Sequence, residues 1–306
     1  MANANEEIFV AGIDVARGGQ SARVGGGSGD DFAMTTMKAT ATGPAYWVKT
    51  IRYNGAGADA MSGLIYREEE AFGYNLMMMD AGGGGLFVRD EMRMPTQNYD
   101  DRDRSVIPIL TLDDPLIAAG DDGSGRSIAK NILSLFSRGD ERVKSVVGKM
   151  PSDSALINKA HDLLRGAIEN RRLVIPPRWK GWEDLGIAAM IKSKKPDGLT
   201  GRQMEYDPGR MRKVLNDAGG LSEADLAHAE IDLAVLQLLQ VDRAKDKEGS
   251  PKLDSHNMFQ FTSSQHKDAA YSAVYAYFAL WLWRELLRLD ALDAPQESIR
   301  MIVQEV

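Results

Sequence analysis

Asn75-Leu76-Met77-Met78-Met79-Asp80-Ala81-Gly82-Gly83-Gly84-Gly85 is the stretch from which the fold is read. Leu76 to Met79 form a continuous apolar run, too short for a helix and bounded by turn residues, which predicts a strand buried on both faces of a parallel sheet. In open α/β sheets ligands bind in the crevice beyond the carboxyl ends of the strands, and Asp80 stands at that end. The glycines that follow let the backbone turn sharply and approach a ligand or a neighbouring strand without Cβ clashes. Taken alone, the stretch fits an ordinary strand-to-helix loop with a capping aspartate equally well. The remaining segments decide between the two.

Upstream, Ile8 to Val15 reads as a buried strand carrying Asp14 near its end. A glycine-rich segment from Ala16 to Asp31 follows, too flexible to be a regular element and placed as a loop over the site. Phe32 to Lys38 and the alternating Tyr46 to Tyr53 are two further strands, separated by the turn residues Thr42-Gly43-Pro44. Three strands with short links make an antiparallel meander. Asp59 to Phe72 carries Met61, Leu64, Ile65 and Phe72 on one helical face and supplies the crossover that a parallel strand ending at Asp80 requires. A helix from about Leu86 to Met94 and a strand over Ser105 to Leu110 are expected next.

Downstream, Gly120 to Ser127 matches a phosphate-loop pattern with arginine in the lysine position. Asp113-Asp114-Pro115 interrupts the strand such a loop needs, so the segment reads instead as a Ser127-capped start to a helix over Ile128 to Phe136. No nucleotide-hydrolysing site is recognisable elsewhere. Ser154 to Asn170 is an amphipathic helix, and Leu173-Val174-Ile175 before Pro176-Pro177 a short strand. Residues 178–220 gather Arg178, Lys180, Lys192, Lys194, Lys195, Arg202, Arg210, Arg212 and Lys213 among glycines and prolines. The segment is read as a basic, mobile insertion in one domain spanning residues 1–306, either solvated or meeting phosphates. A helix from Leu221 through Val241, a charged link and a strand at Met258 to Phe261 lead to the last helix, Lys267 to Leu289, which is rich in aromatics and has Asp268 in its first turn; Asp254, in the charged, glycine- and proline-flanked link, has no rigid element to fix it as a ligand.

The chain has 306 residues, 43% hydrophobic and 26% charged, the balance of a globular protein. It contains no cysteine, which excludes disulfides, thiolate metal sites and cysteine nucleophiles, so any metal must be held by oxygen or histidine. With four histidines and 44 acidic residues, a carboxylate site for a hard cation is the more available chemistry. No apolar run reaches the roughly 18 residues of a membrane span, so no membrane partner is expected and the cytoplasm is the expected location. A net charge of -7 opposes unaided long-range capture of nucleic acid but leaves room for a local basic groove.

Asp14, Asp80 and Asp268 are carboxylates from three distant segments, each placed by a rigid element. Carboxylates cannot crowd within about 4 to 6 Å unless a cation offsets their repulsion, so their convergence implies Mg²⁺ or Mn²⁺. Two such ions, about 3.5 to 4 Å apart, can activate a water and stabilise the leaving oxygen of a phosphodiester.

On these residues the chain resembles the nuclease domain of tailed-bacteriophage large terminase subunits, within the ribonuclease H-like group. The resemblance is carried by Gly12-Ile13-Asp14-Val15-Ala16, Gly29-Asp30-Asp31-Phe32-Ala33, Met79-Asp80-Ala81-Gly82-Gly83-Gly84 and His266-Lys267-Asp268-Ala269-Ala270, and residues 178–220 have no part in it. It implies an α/β fold, a ribonuclease H-like mixed five-stranded core sheet of order 3-2-1-4-5 with strand 2 antiparallel. It also implies that Asp14, Asp80 and Asp268 are the catalytic carboxylates holding two ions, while Asp31 either orders the glycine-rich loop or reaches the second metal or the DNA, and His266 is either a helix-start residue or a further ligand. The implied activity is metal-dependent endonucleolytic cleavage of double-stranded DNA during viral genome packaging. The implied partners are the terminase ATPase domain or small subunit and the procapsid portal. Full-length members place an ATPase ahead of the nuclease, so the expectation is an excised domain or a separately encoded nuclease. The rival readings are a resolvase- or transposase-type nuclease on the same core and a non-catalytic module that docks onto DNA or a procapsid.

Overall fold

A computed structural model describes residues 7–15, 31–54, 57–80, 85–93, 155–187, 191–192, 203–204, 208–239, 241–243, 259–261 and 267–293, with a few positions between 119 and 134. Its centre is a mixed five-stranded sheet. Strands β1 (Ile8–Asp14), β2 (Asp31–Ala39) and β3 (Ala45–Asn54) form the expected antiparallel meander, and β4 (Leu76–Met79) lies parallel to β1 on its other side. The short β5 (Leu173–Val174) adds in parallel to the free side of β3, giving the order 4-1-2-3-5 with β2 antiparallel to the rest. With helices on both faces, this is a ribonuclease H-like core. The expected run 3-2-1-4 is present, and the strand expected after it, Ser105 to Leu110, lies outside the described residues.

The sheet is buried on both faces, which explains why β4 is apolar at every position. Leu76 and Met78 turn to one face with Ile8, Val10 and Met37, whereas Met77 and Met79 turn to the other with Ala11, Ile13, Phe32 and Met34. Helices α1 (Ala58–Phe72) and α2 (Gly85–Arg93) cover the second face through Met61, Ile65, Val88 and Met92. The first face is covered by α3 (Ala155–Glu169) and by the long terminal helix, whose core side includes Ala269, Ala273, Ala276 and Leu280.

Residues 178–220 contain a short helix α4 (Gly181–Asp184), a two-stranded ribbon of β6 (Ile191–Lys192) and β7 (Gln203–Met204), and helix α5 (Pro208–Asp217). Trp179, fully buried Trp182, Met211 and Leu215 build a separate small core against Ala229, Leu233 and Leu236 of α6 (Glu223–Leu238). Lys194 and Lys195 are outside the described residues. A second ribbon pairs β8 (Val241–Arg243) with β9 (Phe259–Phe261), and α7 (Asp268–Asp293) completes the described elements. Among the described residues no helix is long and apolar enough to cross a membrane.

Helix α7 lies directly on β1 because Gly12 leaves it room. A Cβ at Gly12 would strike the backbone of α7 at Ser272 O and Ala276 N and come within 2.7 Å of Tyr275 C. Buried hydroxyls then fix the register: Thr35 Oγ1 lies 2.8 Å from Ser272 Oγ and 3.0 Å from Thr50 Oγ1. At the start of the helix, where amides lack intrahelical partners, Ala270 N–H donates to Gln237 Oε1 of α6 at 2.9 Å.

Candidate metal centre

The sheet places two acids side by side. The parallel register pairs Ile13 with Met79, and Asp80 N–H donates to Ile13 O at 3.0 Å, so Asp14 and Asp80 follow each other off adjacent strand ends. Strand alternation turns Asp14 to the face of Val10 and Gly12, and Asp80 to that of Leu76 and Met78, the face on which α7 lies. Both carboxylates act on the same two phenols. Burial first, and then the charges of Asp14 and Asp80, push the Tyr271 hydroxyl up to about 12 and raise that of Tyr275 well above its ordinary value. Both phenols therefore stay protonated at neutral pH.

Asp268 is buried at the head of α7, one helical turn before Ser272. Its Oδ2 accepts the backbone N–H of Asp31 at 3.1 Å, which holds it over the start of β2. Among the described residues no group of three or more His, Cys, Asp or Glu side chains is arranged to hold a metal ion. The structure thus places Asp14 and Asp80 at adjacent strand ends, and Asp268, from the first turn of α7, against the backbone at the start of β2. His266 and Asp254 lie outside the described residues.

A two-carboxylate site fits a hard cation. Mg²⁺ commonly keeps several of its waters and is held by one or two carboxylates together with substrate phosphate oxygens. Asp14 and Asp80 are the residues that could supply that donor set, and a cation there would offset the repulsion of acids on neighbouring strand ends.

Asp31 is occupied differently from a loop acid or a metal ligand. Its side chain is fully buried, with Oδ2 2.8 Å from Arg52 Nη1 and 3.3 Å from Arg212 Nη1. Arg52 Nε also donates to both oxygens of Glu230, at 3.1 and 3.2 Å, and burial pushes the Glu230 carboxyl up despite Arg52 and Arg212. Sequence reading singled out neither Arg52 nor Glu230, and took Arg212 only as one cation of a basic stretch. The pairing of β2 with β3 slips between Thr36 and Met37, so Trp47 faces Met37 while Lys49 faces Thr36. Such a bulge reverses the alternation beyond it. Thr50 and Arg52 therefore join Trp47 on the face of α6 and α7, where simple alternation from Trp47 also keeps Lys49, which instead meets Glu68 of α1 at 2.9 Å.

His161 of α3 is buried, its ring edge-on to that of Tyr271 with the centroids 5.6 Å apart. Burial lowers it from 6.5 to about 4. The unfolded chain then binds the extra proton first as pH falls, so the stability due to neutral His161 is complete above pH 6.5 and is lost down to about pH 4. The full loss is about 3 kcal/mol. Urea unfolding at pH 7 and pH 4.5 checks this: His161→Phe is expected to show the smaller drop between the two, and an unchanged drop would contradict it.

No protein-family model matches the sequence, and no curated protein matches it. Among solved structures, the chain is similar to the large terminase nuclease from thermophilic phage G20c with bound magnesium, at 11% identity and a TM-score of 0.42, over 89% of this chain and 82% of that one. It is similar also to a second structure of the large terminase nuclease from the same phage, at 12% identity and a TM-score of 0.39, with the same coverage.

Proposed function

We propose that this protein is a metal-dependent endonuclease that cleaves double-stranded DNA during viral genome packaging, with Asp14, Asp80 and Asp268 holding two Mg²⁺ or Mn²⁺ ions. The observation that carries the reading is the pairing of Asp14 and Asp80 at adjacent parallel strand ends, beneath a helix that opens with Asp268. Divalent cations bound there would lower the pKa of a water to make the nucleophile and offset the charge that builds on the phosphate.

The chain's own residues prepare the place for that chemistry. Asp14 and Asp80 are held by the sheet, and Asp268 by the Asp31 N–H, on elements whose cores fix them far better than a loop would. The Tyr271 and Tyr275 rings stack at 6.0 Å and wall the carboxylates on the helix side. Lys267 Nζ lies 5.2 Å from the Tyr271 ring centroid, a cation at the mouth of the site where a polyanion would enter.

On this reading the lysines of the basic segment would meet DNA phosphates. Replacing Lys192, Lys194 and Lys195 together with alanine is expected to weaken DNA binding and to flatten the plot of log affinity against log salt by up to about three units. Fluorescence anisotropy on a duplex at several salt concentrations measures the slope, and an unchanged slope assigns these lysines to solvent. Substrate choice tests the packaging role. Linear duplex should be cut without structural preference, whereas selective cleavage of four-way junctions would favour a resolvase-type nuclease.

A further inference from the structure

Helix α5 reaches the Asp31–Arg52 cluster through two side chains a helical turn apart. Arg212 Nη1 lies 3.3 Å from Asp31 Oδ2, and Asn216 Oδ1 accepts from Arg52 Nη2 at 3.3 Å. The opposite partners of this cluster are as well fixed. Arg52 and Glu230 are almost fully buried, and Asp31 is closed off from solvent between the two guanidiniums. The Asp31 backbone N–H is the donor that holds the Asp268 carboxylate. A continuous path therefore runs from the small core around Trp182 and Met211, through Arg212, to Asp31 and Asp268.

We propose that Arg212 is a positioning residue for Asp268, through which docking of the 178–220 segment sets the geometry of the metal centre. Arg212 and Arg52 grip one carboxylate oxygen of Asp31 from two elements, which fixes the first residue of β2 and with it the direction of its N–H. Asp268 follows that N–H. Arg212 also offsets charge, since it faces the carboxylates of Asp31, Glu230 and Asp268. Two buried atoms of the pair, Asp31 Oδ1 and Arg212 Nε, have no hydrogen-bond partner among the described residues. The cation half of this proposal rests on the nuclease reading, and the positioning half does not.

Two measurements on the full chain test it. In the first, amide exchange at Asp31 is followed by NMR in the parent, Arg212→Met and Arg212→Lys. Exchange should speed up in Arg212→Met, less in Arg212→Lys, while the amides of Thr35 and Met37 in the same strand keep their protection. In the second, Mn²⁺ affinity is measured by calorimetry. Arg212→Met should weaken it about tenfold, the loss typical of removing a group that orients a ligand. In an Asp268→Asn background the same change should have little effect. Unaltered protection at Asp31 overturns the proposal whatever the metal does, and so does an equal loss of Mn²⁺ affinity in both backgrounds. If the parent binds no Mn²⁺, the nuclease reading falls, and the exchange at Asp31 decides the positioning role by itself.

Discussion

Asp80→Asn is expected to abolish cleavage, by about 10³-fold or more, while the protein melts at the same temperature or higher. The substitution keeps the volume and removes the charge. A cation held at such a site contributes several kcal/mol of transition-state stabilisation, and each 1.4 kcal/mol lost is about tenfold in rate. In the metal-free protein Asp80 and Asp14 are neighbouring like charges whose repulsion the change relieves. Asp14→Asn should behave in the same way. Asp268→Asn should also lose cleavage, since an asparagine oxygen can still accept the Asp31 N–H but brings no charge to a cation. Its melting temperature should hold as well, whereas Asp254→Asn should alter neither property. Supercoiled-plasmid nicking beside thermal denaturation checks the set. Parent-rate cleavage by Asp80→Asn would remove it from the site, and parent-rate cleavage by Asp268→Asn would remove the third carboxylate.

Gly12→Ala is expected to cost about 3 kcal/mol of stability or more, because one methyl group has no space to occupy. The atoms it meets, Ser272 O, Ala276 N and Tyr275 C, all belong to helix backbone, which cannot rotate aside as a side chain can. Helix α7 must lift from β1, and lifting it opens the pairing of Thr35 with Ser272 and moves Asp268 away from the Asp31 N–H. Gly166→Ala is the control. Gly166 lies within α3 with nothing near its missing Cβ, so alanine there should stabilise by up to about 1 kcal/mol through helix propensity. Denaturant unfolding of both variants gives the comparison, and a Gly12→Ala loss below 1 kcal/mol would mean that α7 does not seat on β1 as described.

The core sheet was legible because its signals are local. The apolar run Leu76–Met79 ending at Asp80, the turn at Thr42-Gly43-Pro44 and the helical face of Met61 and Ile65 each specify an element without reference to the rest. Asp14 and Asp80 followed from the same reading, since both sit where strands end. The Asp31 cluster was not legible. Arg52 reaches it only because of the bulge between Thr36 and Met37, a register irregularity that pattern counting cannot anticipate. Arg212 was read as one cation among many in a basic stretch. The informative signal lay beside it, in Met211 and Leu215 on one helical face with Trp179 and Trp182 upstream, enough apolar residues to seat the segment on α6. Asp31 itself was considered for the site, and the structure gives it to Arg52 and Arg212.

The most direct test of the central claim is plasmid cleavage by the full chain at high enzyme concentration in Mn²⁺, Mg²⁺, Ca²⁺ and excess chelator. A net charge of -7 repels the substrate, so activity should be weak, and Mn²⁺ should exceed Mg²⁺, whose stricter octahedral demand suits an imperfectly ordered site less well. Nicking in Mn²⁺ and Mg²⁺ that disappears with chelator is the expected result. Cleavage that persists in excess chelator, or none in Mn²⁺ at any enzyme concentration, would contradict it.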